Sequence, residues 1–170
     1  LHDALPILLA ALTFRTTAPV ERPPDAEDRL LGVFRPLVGI QEKPLGSNRG
    51  EWVDKFNRAA ETDLGAPWCA SVAVWGHQQL GLPHANAYSP SWFVKTRVVR
   101  AAAVRAGDVA LVWFPAKGRY AHTIACVESV RPKEVVTLEG NTNSQGAREG
   151  HGFFRRIRAR DSLTFVRWNQ

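Results

Sequence analysis

Methionine is absent from the 170-residue sequence, position 1 included. This predicts that the chain starts inside a longer reading frame, by processing or by truncation. Cysteine occurs only twice. Two thiols build no disulfide framework and close no tetrahedral zinc site. Long apolar runs are missing as well. None is longer than residues 7–12, against the roughly 20 residues a membrane-spanning helix needs. Acidic residues are scarce in one half. Residues 1–85 carry 8 Lys/Arg against 10 Asp/Glu, and residues 86–170 carry 14 against 6. These scarcities exclude a disulfide scaffold, a zinc finger and a helical membrane span. The 45% hydrophobic and 22% charged residues fit one globular domain with a core of its own, not a disordered or fibrous chain.

Residues 1–25 read as a flexible N-terminal segment or linker, and residues 26–170 as the folded domain. Residues 7–12 have the character of the tail of a secretory hydrophobic region, but no charged segment precedes them. Residues 16–25 hold three prolines and no apolar periodicity.

From Asp25, a natural helix cap, the apolar positions Leu30, Leu31, Phe34, Leu37 and Val38 predict a helix to about residue 37, kinked or shortened at Pro36. A second helix is expected over about 51–61 and a third, apolar around most of its circumference, over about 68–80. A short one is expected within 91–103. The second half changes period. Residues 109–114, 122–130, 134–140, 152–160 and 163–168 are β-branched and aromatic with short turns between them, which predicts an antiparallel sheet of about five strands. Helices first and strands second make an α+β fold.

Cys69 begins the most apolar helix. The positive end of a helix dipole stabilises a thiolate, the nucleophilic form of cysteine. Cys126, inside a predicted strand, is expected to be inert packing. Of the five histidines, His77 lies too far along the Cys69 helix to reach the thiol. His122 stands at a strand end, where an imidazole can meet a helix N-terminus. Glu139 ends the next strand, with Val135, Thr137 and Asn141 on its face, and a carboxylate or amide there can orient an imidazole. The Cys69 backbone N–H is an expected oxyanion donor, with Asn141 or Gln41 as candidates for a second. Trp68 and Trp92 are candidate exposed rings for substrate. Arg156, Arg158 and Arg160 form a basic stripe opposite Phe153, Ile157 and Ala159. That stripe would either meet an anionic polymer or be a solvated face.

These residues carry a resemblance. Residues 38–82 with Pro67-Trp68-Cys69, then Gly107-Asp108-Val109, Ala121-His122-Thr123-Ile124, Leu138-Glu139-Gly140-Asn141-Thr142-Asn143 and Arg148-Glu149-Gly150 resemble the CHAP family of cysteine- and histidine-dependent amidohydrolases and peptidases. The resemblance implies a papain-like α+β fold and cleavage of an amide bond in bacterial peptidoglycan, as a muramoyl-L-alanine amidase or a stem or cross-bridge endopeptidase. It implies Cys69 as nucleophile, His122 as base and then acid, Glu139 as the group orienting His122, and Asn141 as a supporting residue. Such a role places the protein in the extracellular space or periplasm, or with a phage. The chain departs from the pattern at Ala121, where the family often has glycine. Glu61 and Asp63 are too few acidic ligands before the nucleophile for calcium, so no metal and no cofactor are expected. A monomer is expected. The rival expectation is a catalytically inactive wall-binding module of the same fold. Nucleic acid is not an expected partner, because sheet-borne aromatic RNA-binding signatures are missing.

Overall fold

The computed structural model describes residues 25–145, 147 and 149–169. The expected flexible segment at residues 1–25 therefore lies, but for Asp25, outside the described residues.

Asp25 caps α1 (Ala26–Phe34): its carboxylate accepts the N–H groups of Glu27 and Asp28 at 3.1 and 3.0 Å. These are two of the donors that a helix start leaves unpaired. Pro36 shortens the helix as expected, and the chain tightens into a 3₁₀ turn at Arg35–Leu37. Leu30, Leu31, Phe34 and Leu37 are buried, while Val38 is more than a third exposed. α2 (Glu51–Ala59) buries Val53 and Phe56. α3 (Cys69–Gln78) is buried at every position from Cys69 to His77, as an all-round apolar helix must be. α1 and α3 meet at Gly76, where a Cβ would stand 2.1 Å from the Phe34 ring. Only glycine lets the two helices approach so closely.

The helix expected within residues 91–103 does not form. This stretch holds 3₁₀ turns at Ser89–Trp92, Lys95–Arg97 and Ala101–Ala103 around a short strand, β1 (Val98–Val99). Val94, Thr96, Val98 and Val99 lose rotamer freedom in a helix. The two valines pair instead with Val166 and Phe165 of β7 (Thr164–Val166).

The remaining strands are β2 (Val109–Phe114), β3 (Arg119–Ile124), β4 (Cys126–Val130), β5 (Glu134–Thr142) and β6 (Gly152–Ala159). They form not one sheet but two, both antiparallel, with strand orders β1-β7-β2-β3 and β4-β5-β6. The expected single strand at 122–130 is broken at Ala125. β3 pairs with β2, whereas Val127 at the start of β4 exchanges backbone hydrogen bonds with Gly107 and Asp108 and then follows β5. Both halves are apolar and β-branched, so composition carries no mark of this change of partner. The break puts His122 and Cys126 in different sheets.

Buried Asp108 fastens this junction. It accepts Arg167 Nε and Nη2 at 2.7 and 2.9 Å and the Arg105 N–H at 3.0 Å. A small apolar cluster of Val104, Ala110, Ile124, Val127, Val135 and Phe165 lies apart from the main core, with members from both sheets. The main core joins α1, α2 and α3 to strands of both sheets. Trp68 stacks on Phe56 at 5.8 Å, and Phe56 meets Trp75 at 5.2 Å. Each such ring pair adds roughly 0.5–1.5 kcal/mol beyond its buried area. The fold is thus α+β, with three α-helices and two antiparallel sheets among the described residues.

Candidate active site

The loop before α3 fixes where that helix starts. Asn57 of α2 holds it from below, accepting the Thr62 N–H through its carbonyl at 3.0 Å and donating its side-chain amide to Ala66 O at 3.2 Å. Pro67 and Trp68 follow, and Cys69 is the first residue of the helix. The N–H groups of that first turn have no partner within the helix, so the thiol sits among unpaired donors at the positive end of the dipole.

Trp68 is gripped at two points. Its indole N–H donates to Glu42 Oε1 at 2.8 Å. With the Asn141 amide turned so that both its polar atoms are paired, its oxygen accepts the Trp68 backbone N–H at 3.2 Å and its nitrogen donates to Gly150 O at 2.8 Å. Asn141 adopts the left-handed conformation, φ 55°, inside the irregularity between Glu139 and Thr142. Its neighbour Gly140 lets β5 pass directly under α3. A Cβ there would meet Trp68 and Val72 at 2.6 Å.

His122 comes from β3 and Glu139 from β5, in different sheets. His122 Nε2 lies 3.3 Å from Glu139 Oε2, and both side chains are almost wholly buried. The Glu139 carboxylate also accepts Arg158 Nε and Nη2 at 2.8 and 2.6 Å and the Thr137 hydroxyl at 2.6 Å. Burial alone would raise its pKa, but the hydrogen bonds from Arg158 and His122 outweigh it and bring it down to about 2. With Nε2 taken by Glu139, the buried Nδ1 makes no close hydrogen bond, and Cys69 is the other group that acts on the ring.

Burial works against charge on both members of the Cys69–His122 pair. For Cys69, the charge and hydrogen bond of His122, the Thr123 N–H and the Ser89 hydroxyl outweigh burial and lower the thiol to about 7. For His122, the thiolate and the Glu139 carboxylate raise the imidazole to about 9. Both shifts favour the thiolate–imidazolium form of the pair. Cys126 is the contrast: burial pushes its thiol up to about 12. The two cysteines are both free.

Cys69 opens onto a cleft of about 480 Å³ lined by Glu61, Thr62, Tyr88, Ser89 and Arg119 among others. Tyr88 is 54% exposed, with the Arg119 guanidinium 5.3 Å from its ring centre.

Of the expected site residues, the structure brings Cys69, His122 and Glu139 together, with Asn141 one layer behind. Trp68 and Trp92 are not exposed rings, for both are fully buried. Trp92 packs against His77 and Trp168, and its indole N–H donates to Asn86 O at 2.9 Å. Gln41 is not brought to the Cys69 cleft: its backbone pairs with Gly152, and it lines a separate depression with Lys43, Glu51 and Trp52. The Asn141 amide, turned as above, is taken up by backbone groups. The arginine stripe is inverted at its centre. Arg158 turns inward to Glu139, and Ile157, expected inside, is 54% exposed. A buried carboxylate draws the cation inward more strongly than water holds it outside.

Sequence reasoning missed Glu42, Ser89 and the role of Arg158. The last was reachable, because a β5–β6 hairpin places Arg158 on the face of Thr137 and Glu139. Glu42 and Ser89 lie outside the α-helices and strands and leave no periodic signal. Among the described residues, no group of three or more His, Cys, Asp or Glu is placed to hold a metal ion, and no helix is long and apolar enough to cross a membrane.

The arrangement is a thiol, an imidazole and a buried carboxylate, in that order, and such a set can serve as nucleophile, base and base-orienting group. No protein-family model, curated protein or solved structure matches this chain, which leaves the chemistry of its own side chains as the guide to function.

Proposed function

We propose that this chain is a peptidoglycan hydrolase that cuts an amide bond through a cysteine acyl-enzyme, on a papain-like fold of the CHAP kind. The observation that carries this reading is the pairing of Cys69, at the first position of α3, with an imidazole whose other nitrogen meets a buried carboxylate. The Cys69 thiolate attacks the carbonyl carbon, and a sulfur–carbon bond forms. The developing oxyanion is met by the Cys69 backbone N–H, which has no partner inside the helix. His122 delivers its proton from Nδ1 to the amine as the carbon–nitrogen bond breaks. Water then enters, His122 takes its proton, and the hydroxide displaces the thiolate to release the acid. Glu139 keeps Nε2 protonated and the ring in place throughout.

A wall substrate requires action in the extracellular space or periplasm, or from a phage. A papain-like arrangement is supported by the helix that bears the thiol packing against antiparallel strands that bear the histidine and carboxylate.

Purified protein and its Cys69→Ala variant, incubated with bacterial cell walls, test the reading by turbidity and by the masses of released fragments. Clearing by the native protein and none by the variant is expected. Equal clearing by both sinks the cysteine mechanism. No release by either, with retention on the walls, replaces it with a binding module. The fragment masses identify the bond.

A further inference from the structure

The wall of the cleft beside Cys69 holds a polar group that the steps above leave idle. The Ser89 hydroxyl lies 3.6 Å from Cys69 Sγ, buried, and among the described residues the sulfur is its hydrogen-bond partner. Its position is built. Asn86 Oδ1 accepts both the Tyr88 N–H at 3.0 Å and the Ser91 hydroxyl at 2.6 Å, which closes the loop into a tight turn. Ser89 and Trp92 are the first and last residues of one 3₁₀ turn, so their side chains lie on the same side of it. The Trp92 indole is locked between His77 and Trp168. The same lock aims Ser89 inward at the sulfur.

We propose that Ser89 is a positioning residue for the nucleophile: its hydroxyl donates a hydrogen bond to the Cys69 thiolate, fixes the sulfur at the mouth of the cleft and keeps it ionised at neutral pH. A thiolate is a pure acceptor, and a hydroxyl can serve it with its single proton. The neutral thiol gains less from the same contact, so the bond favours the reactive form. The proton stays on Ser89 throughout. When the sulfur becomes a neutral thioester the bond weakens, and when hydrolysis regenerates the thiolate it strengthens again. The titratable and charged groups facing this sulfur are His122 from β3 and, along the cleft, Glu61, Tyr88 and Arg119. Beside Ser89, the Thr123 N–H is the neutral donor at this sulfur.

This inference rests on Cys69 being the nucleophile, but its test needs no substrate. The rate of Cys69 alkylation by iodoacetamide is followed from pH 5 to 10 by peptide mass mapping in the native protein and in Ser89→Ala, Ser89→Thr and Ser89→Val, with the melting temperature as a control on folding. In Ser89→Ala the midpoint is expected to move up by about one pH unit, roughly a tenfold loss of rate on the acid side. Ser89→Thr, which keeps the hydroxyl, is expected to stay near the native midpoint, and Ser89→Val is expected to follow Ser89→Ala. The Thr and Val variants have the same shape and decide the matter should Ser89→Ala not fold. An unchanged midpoint in the variants lacking the hydroxyl overturns the inference. So does an equal shift in Ser89→Thr, which traces the effect to packing. A shifted midpoint in a protein that releases nothing from cell walls overturns the hydrolase reading and leaves this one standing.

Discussion

Arg158 presents Nε and Nη2 to the two oxygens of Glu139 at 2.8 and 2.6 Å, a forked ion pair whose carboxylate also meets His122. The carboxylate is fully buried, and Arg158 is only partly so. Removing one partner of a buried pair leaves an uncompensated charge, at a cost of roughly 3–5 kcal/mol. Arg158→Met is therefore expected to lose several kcal/mol in urea unfolding. Arg158→Lys, a single point charge in place of a fork, should recover part of that. A Met variant as stable as the native protein would show that the pair contributes nothing.

Under the proposed mechanism, the pH dependence of hydrolysis follows from the other side of the same carboxylate. The thiol ionises near 7 and the imidazolium persists to about 9. The expected kcat/KM profile is a bell that rises through about pH 7 and falls above about pH 9. Iodoacetamide should label Cys69 on the rising limb while Cys126, held near 12, stays unlabelled. Equal labelling of both cysteines at neutral pH contradicts an activated thiolate.

Gly140 offers a test of how the nucleophile is seated. A Cβ at this position would stand 2.6 Å from Trp68 and Val72, so Gly140→Ala must push β5 away from the start of α3. Overpacking of this kind costs about 1–3 kcal/mol. Displacing Trp68 also displaces Cys69, and a misplacement of about 1 Å can cost on the order of 100-fold in rate. The expected signature is a loss of activity far larger than the fall in melting temperature suggests. Proportionate losses would mean that the site tolerates the shift.

His77 supplies an acid sensitivity of the fold that is separate from the chemistry. Burial, despite the hydrogen bond to Ala73 O, brings its pKa down to about 4. The unfolded chain takes up this proton near pH 6.5 and the folded chain does not until about pH 4. Stability from this group is therefore complete above about pH 6.5 and falls as the pH is lowered toward 4. Between pH 7 and pH 5 the loss is about 2 kcal/mol. His77→Leu should lose that much less than the native protein over the same interval in urea titrations. Identical losses would assign the acid sensitivity elsewhere.

Periodicity made the three α-helices legible, because one apolar face each, or an entire apolar surface for α3, has to be buried against other elements. Cys69 was legible from its place after a Gly- and Pro-containing loop, and His122 and Glu139 as polar residues in apolar strands; neither stands at a strand end as expected, since β3 begins three residues before His122 and β5 runs three residues past Glu139. The number of sheets was not. Residues 122–130 keep one composition across Ala125 while changing hydrogen-bond partners, and partner choice is a tertiary property. Nor was the fate of Trp68 and Trp92, since a tryptophan has the same identity on a surface as in a core. Only Glu42 and Asn86, contributed from loops, show that both indole N–H groups are satisfied inside. Arg158 was read as surface charge because the buried acid it serves lies on another strand.

His122 hangs from one sheet, Glu139 from the other, and Cys69 from a helix that packs against both. No single hairpin or helix contains even two of the three. A chain that keeps its secondary structure but leaves the two sheets undocked is therefore expected to hold an ordinary, unreactive thiol. Reactivity arrives only when the two sheets dock. On the proposed reading, that dependence makes the intact tertiary structure the safety catch on the reagent.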